Sequence, residues 1–289
     1  MLTGTTNTVL GAGRGAIITG GASGIGLATA RQLAAFGMRV CIADRDDAAL
    51  ESAAIELAGI ARGGAIDVLT AKTDVSSTAD IDLLAETAFD RFGDIALLMN
   101  NAAVFHGSDA LSDPDGWRQL LDVNLMGVLN GVQRIGRAMV DRGKPGYIIN
   151  TGSKQGITSP PGNTAYNVSK AAVKSLTEGL AHTLRNIPNC QISAHLLIPG
   201  FTYSGVMARR MPDRPAGAWS TAQVAERLIH GLERSEFYIL CQDNETTRDQ
   251  DERRILWAAG DIVENRPALS RWHPDYKEAF DAFMKAPRG

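Results

Sequence analysis

The sequence lacks the features that mark a secreted, membrane-embedded or nucleic-acid-binding protein. It holds only three cysteines in 289 residues, Cys41, Cys190 and Cys241, and no CxxC pair. So few widely spaced cysteines form no disulfide framework, and we expect a reducing, cytoplasmic setting. No run approaches the roughly 20 apolar residues that span a bilayer, so no membrane segment is expected. The 29 Lys and Arg residues are outnumbered by 32 Asp and Glu residues, so no global positive field exists to hold nucleic acid.

Short apolar runs alternate with longer amphipathic stretches over the first 241 residues, a pattern typical of a parallel sheet with crossover helices. Seven runs predict strands, at 16–19, 39–44, 67–73, 95–100, 147–151, 191–198 and 236–241. Two long helices are predicted at about 114–142 and 164–186. The 44% of apolar residues suffices for a substantial core. We therefore predict one doubly wound α/β domain over residues 1–241.

The composition changes near residue 242. Residues 242–289 contain 10 acidic and 8 basic residues, so 18 of these 48 are charged, against 21% in the whole chain. A segment this short cannot build its own core, so we predict an extension that packs on the domain or on a neighbouring subunit. Its first part, about 245–263, predicts a charged helix with Ile255, Leu256, Ala259 and Ile262 as the apolar stripe. The extension either closes over an active site or interface, or only covers apolar surface.

A glycine-rich loop, Thr-Gly-Gly-Ala-Ser-Gly-Ile-Gly at 19–26, lies between the first predicted strand and the first helix. Glycines let the backbone turn sharply and bring its N–H groups against a pyrophosphate, and the helix N-terminus adds a favourable dipole. The loop therefore predicts a dinucleotide site. We assign to it Gly20, Ser23, Gly24, Ile25 and Gly26.

Asp44 closes the second predicted strand, 24 residues after Gly20. A carboxylate at this position meets the adenosine ribose of a dinucleotide, and its charge repels a 2′-phosphate. Asp44 therefore favours NAD over NADP. Two alternatives stay open: Asp44 caps the helix that starts at Asp46, or Arg45 holds a 2′-phosphate while Asp44 turns away.

Tyr166 and Lys170 form a YxxxK pair on the second long helix, and Ser153 precedes Tyr166 by 13 residues at the end of a predicted strand. Residues four apart share a helix face, so the Lys170 ammonium can lie near the Tyr166 hydroxyl. Lowering a phenol pKa from about 10 to about 7 requires roughly 4 kcal/mol of phenolate stabilisation. An adjacent cation and an oxidised nicotinamide are able to supply it. The constellation predicts acid–base catalysis.

At this point the sequence resembles the short-chain dehydrogenase/reductase family, over about residues 14–241. The motifs stand in family order: the loop 19–26, Asp74-Val75, Asn100-Asn101-Ala102-Ala103, Asn124, Ser153, Tyr166 with Lys170, and Pro199-Gly200. The resemblance implies a Rossmann-type α/β fold with a seven-stranded parallel sheet in the order 3-2-1-4-5-6-7, followed by the helical C-terminal extension. It also implies a nicotinamide cofactor, for which the charge of Asp44 favours NAD over NADP.

The resemblance implies further cofactor contacts. Asp74 and Val75 match positions at the adenine, and Asn101 matches the position where the strand edge meets the cofactor. The residues expected beside the nicotinamide are Pro199, Gly200, Thr202 and Ser204.

The resemblance also implies four catalytic roles. Ser153 would position the substrate oxygen, Tyr166 would exchange its proton, and Lys170 would also bind the nicotinamide ribose. Asn124 would hold a water against the lysine.

The sequence departs from the family pattern in three places. Ala103 replaces a glycine, which is tolerable where that residue keeps φ below zero. Gly152 stands where many members have a first serine, so Ser153 is the remaining serine candidate. Ser204 stands where threonine is common. None of these changes touches the proton-transfer atoms.

The expected activity is hydride transfer between a nicotinamide cofactor and a secondary alcohol or ketone, with Tyr166 as acid and base. The alternatives are a non-catalytic dinucleotide sensor on the same fold and a reductase of C=C or C=N bonds. The five scattered histidines predict no metal site, although His106 follows the fourth strand and could line the pocket. The two long helices match the dimer surface of similar proteins, so we expect a homodimer or homotetramer.

The substrate-covering stretch, about 202–220, is rich in apolar side chains and favours a hydrophobic or aromatic ligand. These side chains are Tyr203, Val206, Met207, Met211 and Trp219. The tail around 266–274 resembles that of bacterial family members acting on bulky aryl secondary alcohols.

Overall fold

A computed structural model describes residues 9–204, 211 and 213–287; Val206 and Met207 lie outside the described residues. Seven parallel strands form one sheet, in the order β3-β2-β1-β4-β5-β6-β9. These strands are β1 Gly15–Thr19, β2 Arg39–Asp44, β3 Val68–Lys72, β4 Ile95–Asn100, β5 Gly146–Thr151, β6 Ile192–Ile198 and β9 Tyr238–Leu240. The predicted order is confirmed, with β9 as the seventh strand of the sheet.

Two short strands were missed by the sequence analysis. They are β7 Thr202–Tyr203 and β8 Trp219–Ser220, which pair with each other outside the main sheet. Two residues are too few to show a periodicity of side chains.

Helices cover both faces of the sheet. They are α1 Gly24–Ala35, α2 Asp47–Ile60, α3 Thr78–Phe92, α4 Pro114–Leu121, α5 Gly127–Gly131, α6 Arg137–Asp141, α7 Gln155–Thr158, α8 Thr164–Arg185, α9 Thr221–Glu233, α10 Arg248–Val263 and α11 Lys277–Lys285. The segments Asp122–Met126 and Val132–Gly136 are π-helical and join α4, α5 and α6 into the first predicted long helix. All residues of β1 and β4 are buried, because both strands carry core on both faces.

The extension is helical, as expected, but its predicted apolar stripe is wrong for three of its four members. Leu256 and Ile262 are 63% and 86% exposed, and Ala259 is exposed too, whereas Ile255 is half-buried. The buried residues of α10 are Asp251 and Trp257. Trp257 packs against two rings of α11: the centre of its ring lies 5.3 Å from the ring centre of Phe280 and 5.3 Å from that of Phe283. Aromatic packing, rather than an aliphatic stripe, holds α10 to α11.

Within the described residues, no helix is long and apolar enough to cross a membrane. The same residues bring together no cluster of three His, Cys, Asp or Glu side chains able to hold a metal ion.

Candidate active site

A cavity of about 1030 Å³ lies at the carboxyl ends of the central strands. The ends of parallel strands meet at one edge of a sheet, so motifs far apart in sequence converge there. The cavity brings together these predicted residues: Gly20, Ser23, Gly24, Ile25, Asp44, Asp74, Val75, Asn101, Ser153, Tyr166, Lys170, Pro199, Gly200, Thr202 and Ser204. Gly26 and Asn124 do not line it.

The glycine loop is shaped by close backbone contacts. Gly20 has φ +62°, and a Cβ there would lie 2.8 Å from Ala102 Cα. A Cβ on Gly26 would lie 2.2 Å from the Gly20 carbonyl oxygen, so Gly26 allows the loop to fold onto α1 instead of facing the cavity. Ser23 is the N-cap of α1 but makes no side-chain capping bond, and no acidic residue stands in the first turn. Among the described residues, the N-terminal N–H groups of α1 thus have no side-chain cap, which suits an anion.

Asp44 is oriented by backbone donors. Its Oδ2 accepts from the Ala22 amide at 3.3 Å, and its Oδ1 accepts from the Arg45 amide at 2.8 Å. The N-cap of α2 is Asp46, whose carboxylate accepts from the Ala49 amide at 3.0 Å. Asp44 is therefore not needed as the helix cap. Arg45 also lines the cavity.

Asn101 ties the ends of β4 and β1 together. Its side-chain amide donates to the carbonyl oxygens of Thr19 at 3.1 Å and Gly20 at 3.2 Å. On the neighbouring wall, the Val75 carbonyl accepts from Asn130 at 2.9 Å, which fixes the backbone after Asp74. These bonds hold in place two parts of the wall at which the resemblance implies cofactor contacts, at Asn101 and at Asp74 and Val75.

Ser153, Tyr166 and Lys170 meet at the end of β5. The Ser153 hydroxyl lies within hydrogen-bonding reach of the Tyr166 hydroxyl; burial raises the pKa of Tyr166 and this contact opposes the rise. Lys170 is buried, and its Nζ lies 5.8 Å from the centre of the Tyr166 ring and donates to the Thr151 carbonyl at 2.8 Å. Burial lowers the pKa of Lys170 to about 8. The Phe105 ring packs edge-on against Tyr166, with ring centres 4.9 Å apart.

Asn124 lies behind these residues, in the π-helical turn after α4. Its Oδ1 accepts from the Val104 amide at 2.8 Å, and its Nδ2 donates to the Val104 carbonyl at 3.0 Å and to Ser169 Oγ at 3.3 Å. The buried side chain is thus occupied by the loop after β4 and by α8. The side chain of Asn124 therefore joins the two elements that carry Phe105 and Tyr166.

The departures from the family pattern fit the local packing. Ala103 lines the cavity and is not among the described residues with positive φ, so it needs no glycine. A Cβ on Gly152 would lie 3.1 Å from Leu196 Cδ1, which leaves little room for a side chain. Gly200, which matches the family pattern, is also set by packing: a Cβ there would overlap Asp243 Oδ1, so glycine suits the position beside that carboxylate.

The sequence analysis missed a group of charged residues in the cavity wall. Lys154 Nζ lies 3.0 Å from Asp243 Oδ2 and 2.6 Å from Asp251 Oδ2, and the side chains of all three are 15% exposed or less. Arg254 and Arg271 line the same wall. Four of these five residues belong to the extension, and Lys154 directly follows Ser153. The extension thus forms part of the cavity, a contact that no local sequence pattern signals.

Fold and cavity together define a doubly wound α/β protein with a dinucleotide-type loop and a Ser-Tyr-Lys group. The model of the family described as short chain dehydrogenase matches residues 14–215, and the chain belongs to this family of oxidoreductases.

Three similar proteins illustrate the relationship. 3β-hydroxysteroid dehydrogenase 2 of Eggerthella lenta is 34% identical, over 76% of this chain and 82% of its own length. 1-Deoxy-11β-hydroxypentalenate dehydrogenase of Streptomyces exfoliatus is 30% identical, over 90% and 94%. A solved short chain dehydrogenase/reductase of Burkholderia phymatum in complex with NAD is 32% identical, with a TM-score of 0.79, over 88% of this chain and 96% of that one.

Proposed function

We propose that this chain oxidises a secondary alcohol to a ketone, or catalyses the reverse reaction, with NAD as cofactor and Tyr166 as acid and base. The observation that carries the proposal is that Ser153, Tyr166 and the buried Lys170 line one cavity, with Lys170 Nζ 5.8 Å from the centre of the Tyr166 ring. A substrate hydroxyl in this cavity can reach Tyr166 directly, and a charge beside the phenol favours its ionised form.

The residues at the cavity fit a nicotinamide dinucleotide. The uncapped first turn of α1 and the open face of Gly24, where the nearest described atom to an added Cβ is Ser204 Cβ at 3.8 Å, leave backbone donors accessible to phosphates. Asp44 would bind the adenosine ribose and Lys170 the nicotinamide ribose. The other residues proposed to hold the cofactor are Gly20, Ser23, Ile25, Asp74, Val75, Asn101, Pro199, Gly200, Thr202 and Ser204. Bound nicotinamide supplies the hydride acceptor or donor.

The protein side of the reaction is a proton transfer. In the oxidation, Ser153 donates a hydrogen bond to the substrate oxygen and orients it, while Tyr166 Oη takes the hydroxyl proton. In the reduction, Tyr166 returns that proton to the carbonyl oxygen. Burial raises the pKa of Tyr166, so the positive charge of Lys170 is needed to make the phenolate accessible near neutral pH.

The preference for NAD rests on Asp44. Its carboxylate lies in the cavity wall and is held by the Ala22 and Arg45 amides, so a negative charge stands where a 2′-phosphate would have to fit. The negative charge of Asp44 would repel the 2′-phosphate of NADP, which disfavours that cofactor.

An apolar wall near Tyr166 supports a hydrophobic or aromatic substrate. Val104, Phe105, Val123 and Ile157 line this part of the cavity, and Trp272 adds a ring from the extension. The relatives named above include dehydrogenases of a hydroxysteroid and of a hydroxypentalenate, which supports a bulky cyclic or aryl secondary alcohol.

We further propose that residues 242–289 form part of the catalytic domain of residues 1–241 rather than an independent domain, and that the enzyme acts as a homodimer or homotetramer. The ion pairs of Lys154 with Asp243 and Asp251 support the first point. The three free cysteines suit a reducing compartment, so we place the enzyme in the cytoplasm.

Replacing Tyr166 by Phe tests the function. Turnover of secondary alcohols, followed at the absorbance band of reduced nicotinamide, should fall by at least about 100-fold, the lower range for acid–base catalysis. The dissociation constant of NAD should change little, because only the hydroxyl is lost. Activity comparable to wild type in this variant would refute the assignment. Binding of NAD without turnover of any alcohol, enone or imine would indicate a dinucleotide sensor instead.

A further inference from the structure

Arg271 is a charged residue of the substrate cavity without a carboxylate partner. It lies in the short helical turn Ser270–Trp272 and lines the cavity. Its guanidinium carbon is 4.8 Å from the centre of the Trp272 ring and 5.3 Å from that of Phe280. In the part of the chain that the structure describes, it makes no ion pair or hydrogen bond. Ring contacts engage a guanidinium by its face, whereas its five N–H donors point outward in its plane.

The charges on this wall leave one positive charge in excess. Lys154, Arg254 and Arg271 face two carboxylates, those of Asp243 and Asp251. Lys154 engages both carboxylates, at 3.0 and 2.6 Å, and Arg254 approaches Asp251 at 3.8 Å. Burial lowers the pKa of Arg271, the charge of Arg254 lowers it further, and the charge of Asp251 opposes the change. The excess charge therefore lies at Arg271, beside a second guanidinium.

This charge lies on the substrate side of the cavity. Asp251 pairs with Lys154, the residue that follows Ser153. Helix α10, which carries Asp251, packs on α7, the helix that begins directly after Lys154. The cofactor phosphates have a separate proposed site, at the N-terminus of α1. Arg271 is thus available to a group carried by the substrate.

We propose that the substrate carries a carboxylate, attached to an apolar body at a distance from the reacting carbinol, and that Arg271 binds it with Arg254 alongside. The inference rests on the proposed alcohol dehydrogenase function. A guanidinium fork matches a carboxylate with two parallel hydrogen bonds. A single excess charge balances one carboxylate, whereas a phosphate monoester carries about −1.5 to −2.

The test compares matched alcohols that differ in one charge. The substrates are the para-carboxylate and para-carboxamide of 1-phenylethanol, and the corresponding biphenyl pair, which places the group farther from the carbinol. In at least one pair, kcat/KM should favour the carboxylate by about tenfold or more, because only the carboxylate forms charge-assisted hydrogen bonds with the guanidinium. Arg271→Gln should reduce this ratio to near one, mainly by raising KM for the carboxylate, and Arg271→Lys should retain part of it.

Lys277→Gln is the matched control. It removes one positive charge from the same extension, but Lys277 is exposed, pairs with Asp281 and does not line the cavity. The carboxylate preference should persist in this variant. A ratio near one in the wild type, or an undiminished ratio in Arg271→Gln, would overturn the inference while leaving alcohol oxidation intact.

Calorimetry separates this inference from the proposed function. With NAD present, the acetophenone and acetylbiphenyl para-carboxylates should bind at least about tenfold more tightly than their carboxamides, and this difference should vanish in Arg271→Gln. Selective binding without any alcohol turnover would refute the proposed function and support the site. Equal binding of carboxylate and carboxamide would overturn the site. Equally effective competition by inorganic phosphate would show a general anion site and would also overturn it.

Discussion

Lys170 should lower the stability of the folded protein at neutral pH, and replacing it by Met should therefore raise the free energy of unfolding. The side chain is 2% exposed, and its ammonium donates to the Thr151 carbonyl at 2.8 Å. Burial lowers its pKa from 10.5 to about 8, and about 1.4 kcal/mol per pKa unit gives a penalty of about 3 kcal/mol. Losing this charge-assisted hydrogen bond offsets about 1.5–3 kcal/mol of that penalty. We expect Lys170→Met to be inactive and to be more stable by up to about 1.5 kcal/mol.

The pH dependence gives the sign of this effect. Below about pH 8, Lys170 is protonated in both the folded and the unfolded state, so the penalty is constant. Between about pH 8 and pH 10.5 the unfolded state binds more protons than the folded state. The free energy of unfolding of the wild type should therefore rise relative to that of Lys170→Met, by up to about 1.4 kcal/mol per pH unit.

Urea denaturation followed by tryptophan fluorescence measures both quantities. Wild type and Lys170→Met are compared without cofactor, at one protein concentration, from about pH 7 to about pH 10. Titrating groups far from Lys170 cancel in the difference. Tyr166 is coupled to Lys170, so both proteins are also compared in a Tyr166→Phe background, in which no phenol titrates beside the ammonium. The reasoning fails if the variant is less stable near pH 7 by more than about 1 kcal/mol, or if the difference stays flat above pH 8.

Three other outcomes are expected. Asp44→Asn should raise the ratio of kcat/KM for NADP to that for NAD by at least about tenfold in initial-rate assays, because it removes the repelling charge; an unchanged ratio would mean that Asp44 does not face the cofactor. Asp251→Asn leaves Lys154 paired with Asp243 but removes the ion pair between Lys154 and α10. It should therefore raise KM for the alcohol several-fold with little change in NAD affinity. A change in oligomeric state alone would identify the extension as an interface. Light scattering after size-exclusion chromatography should show a dimer or tetramer, and a monomer at micromolar concentration would contradict the predicted association.

Most of the sheet could be predicted because buried parallel strands require near-continuous apolar runs. Each of the seven predicted runs overlaps an observed strand. The prediction exceeds the observed strand most at the sheet edge, where the predicted run 236–241 contains the strand Tyr238–Leu240. The two π-helical segments in the first long helix could not be predicted. They differ from α-helix only in hydrogen-bond register, which composition and periodicity do not report.

The predicted site residues form contiguous motifs at strand ends, and the parallel topology brings these ends to one edge. Thus Gly20, Asp44, Asn101 and Ser153 share one cavity. The Lys154–Asp243 contact joins residues 89 positions apart, and neither belongs to a local motif. Such a pair depends on how the extension folds back, which is a tertiary property.

The failed prediction for α10 has a physical cause that concerns function. The hydrophobic-stripe rule assumes that the buried face of a helix covers an apolar core. One face of α10 instead covers the charged part of the cavity wall, so Asp251 and Arg254 line the cavity beside Ile255, while Leu256 and Ile262 remain exposed. Burying a carboxylate is unfavourable unless it is paired, and burial indeed raises the pKa of Asp251 while Lys154 opposes the rise. The partner, Lys154, directly follows Ser153. The candidate active site that α10 covers therefore explains why this helix buries a carboxylate instead of an aliphatic side chain.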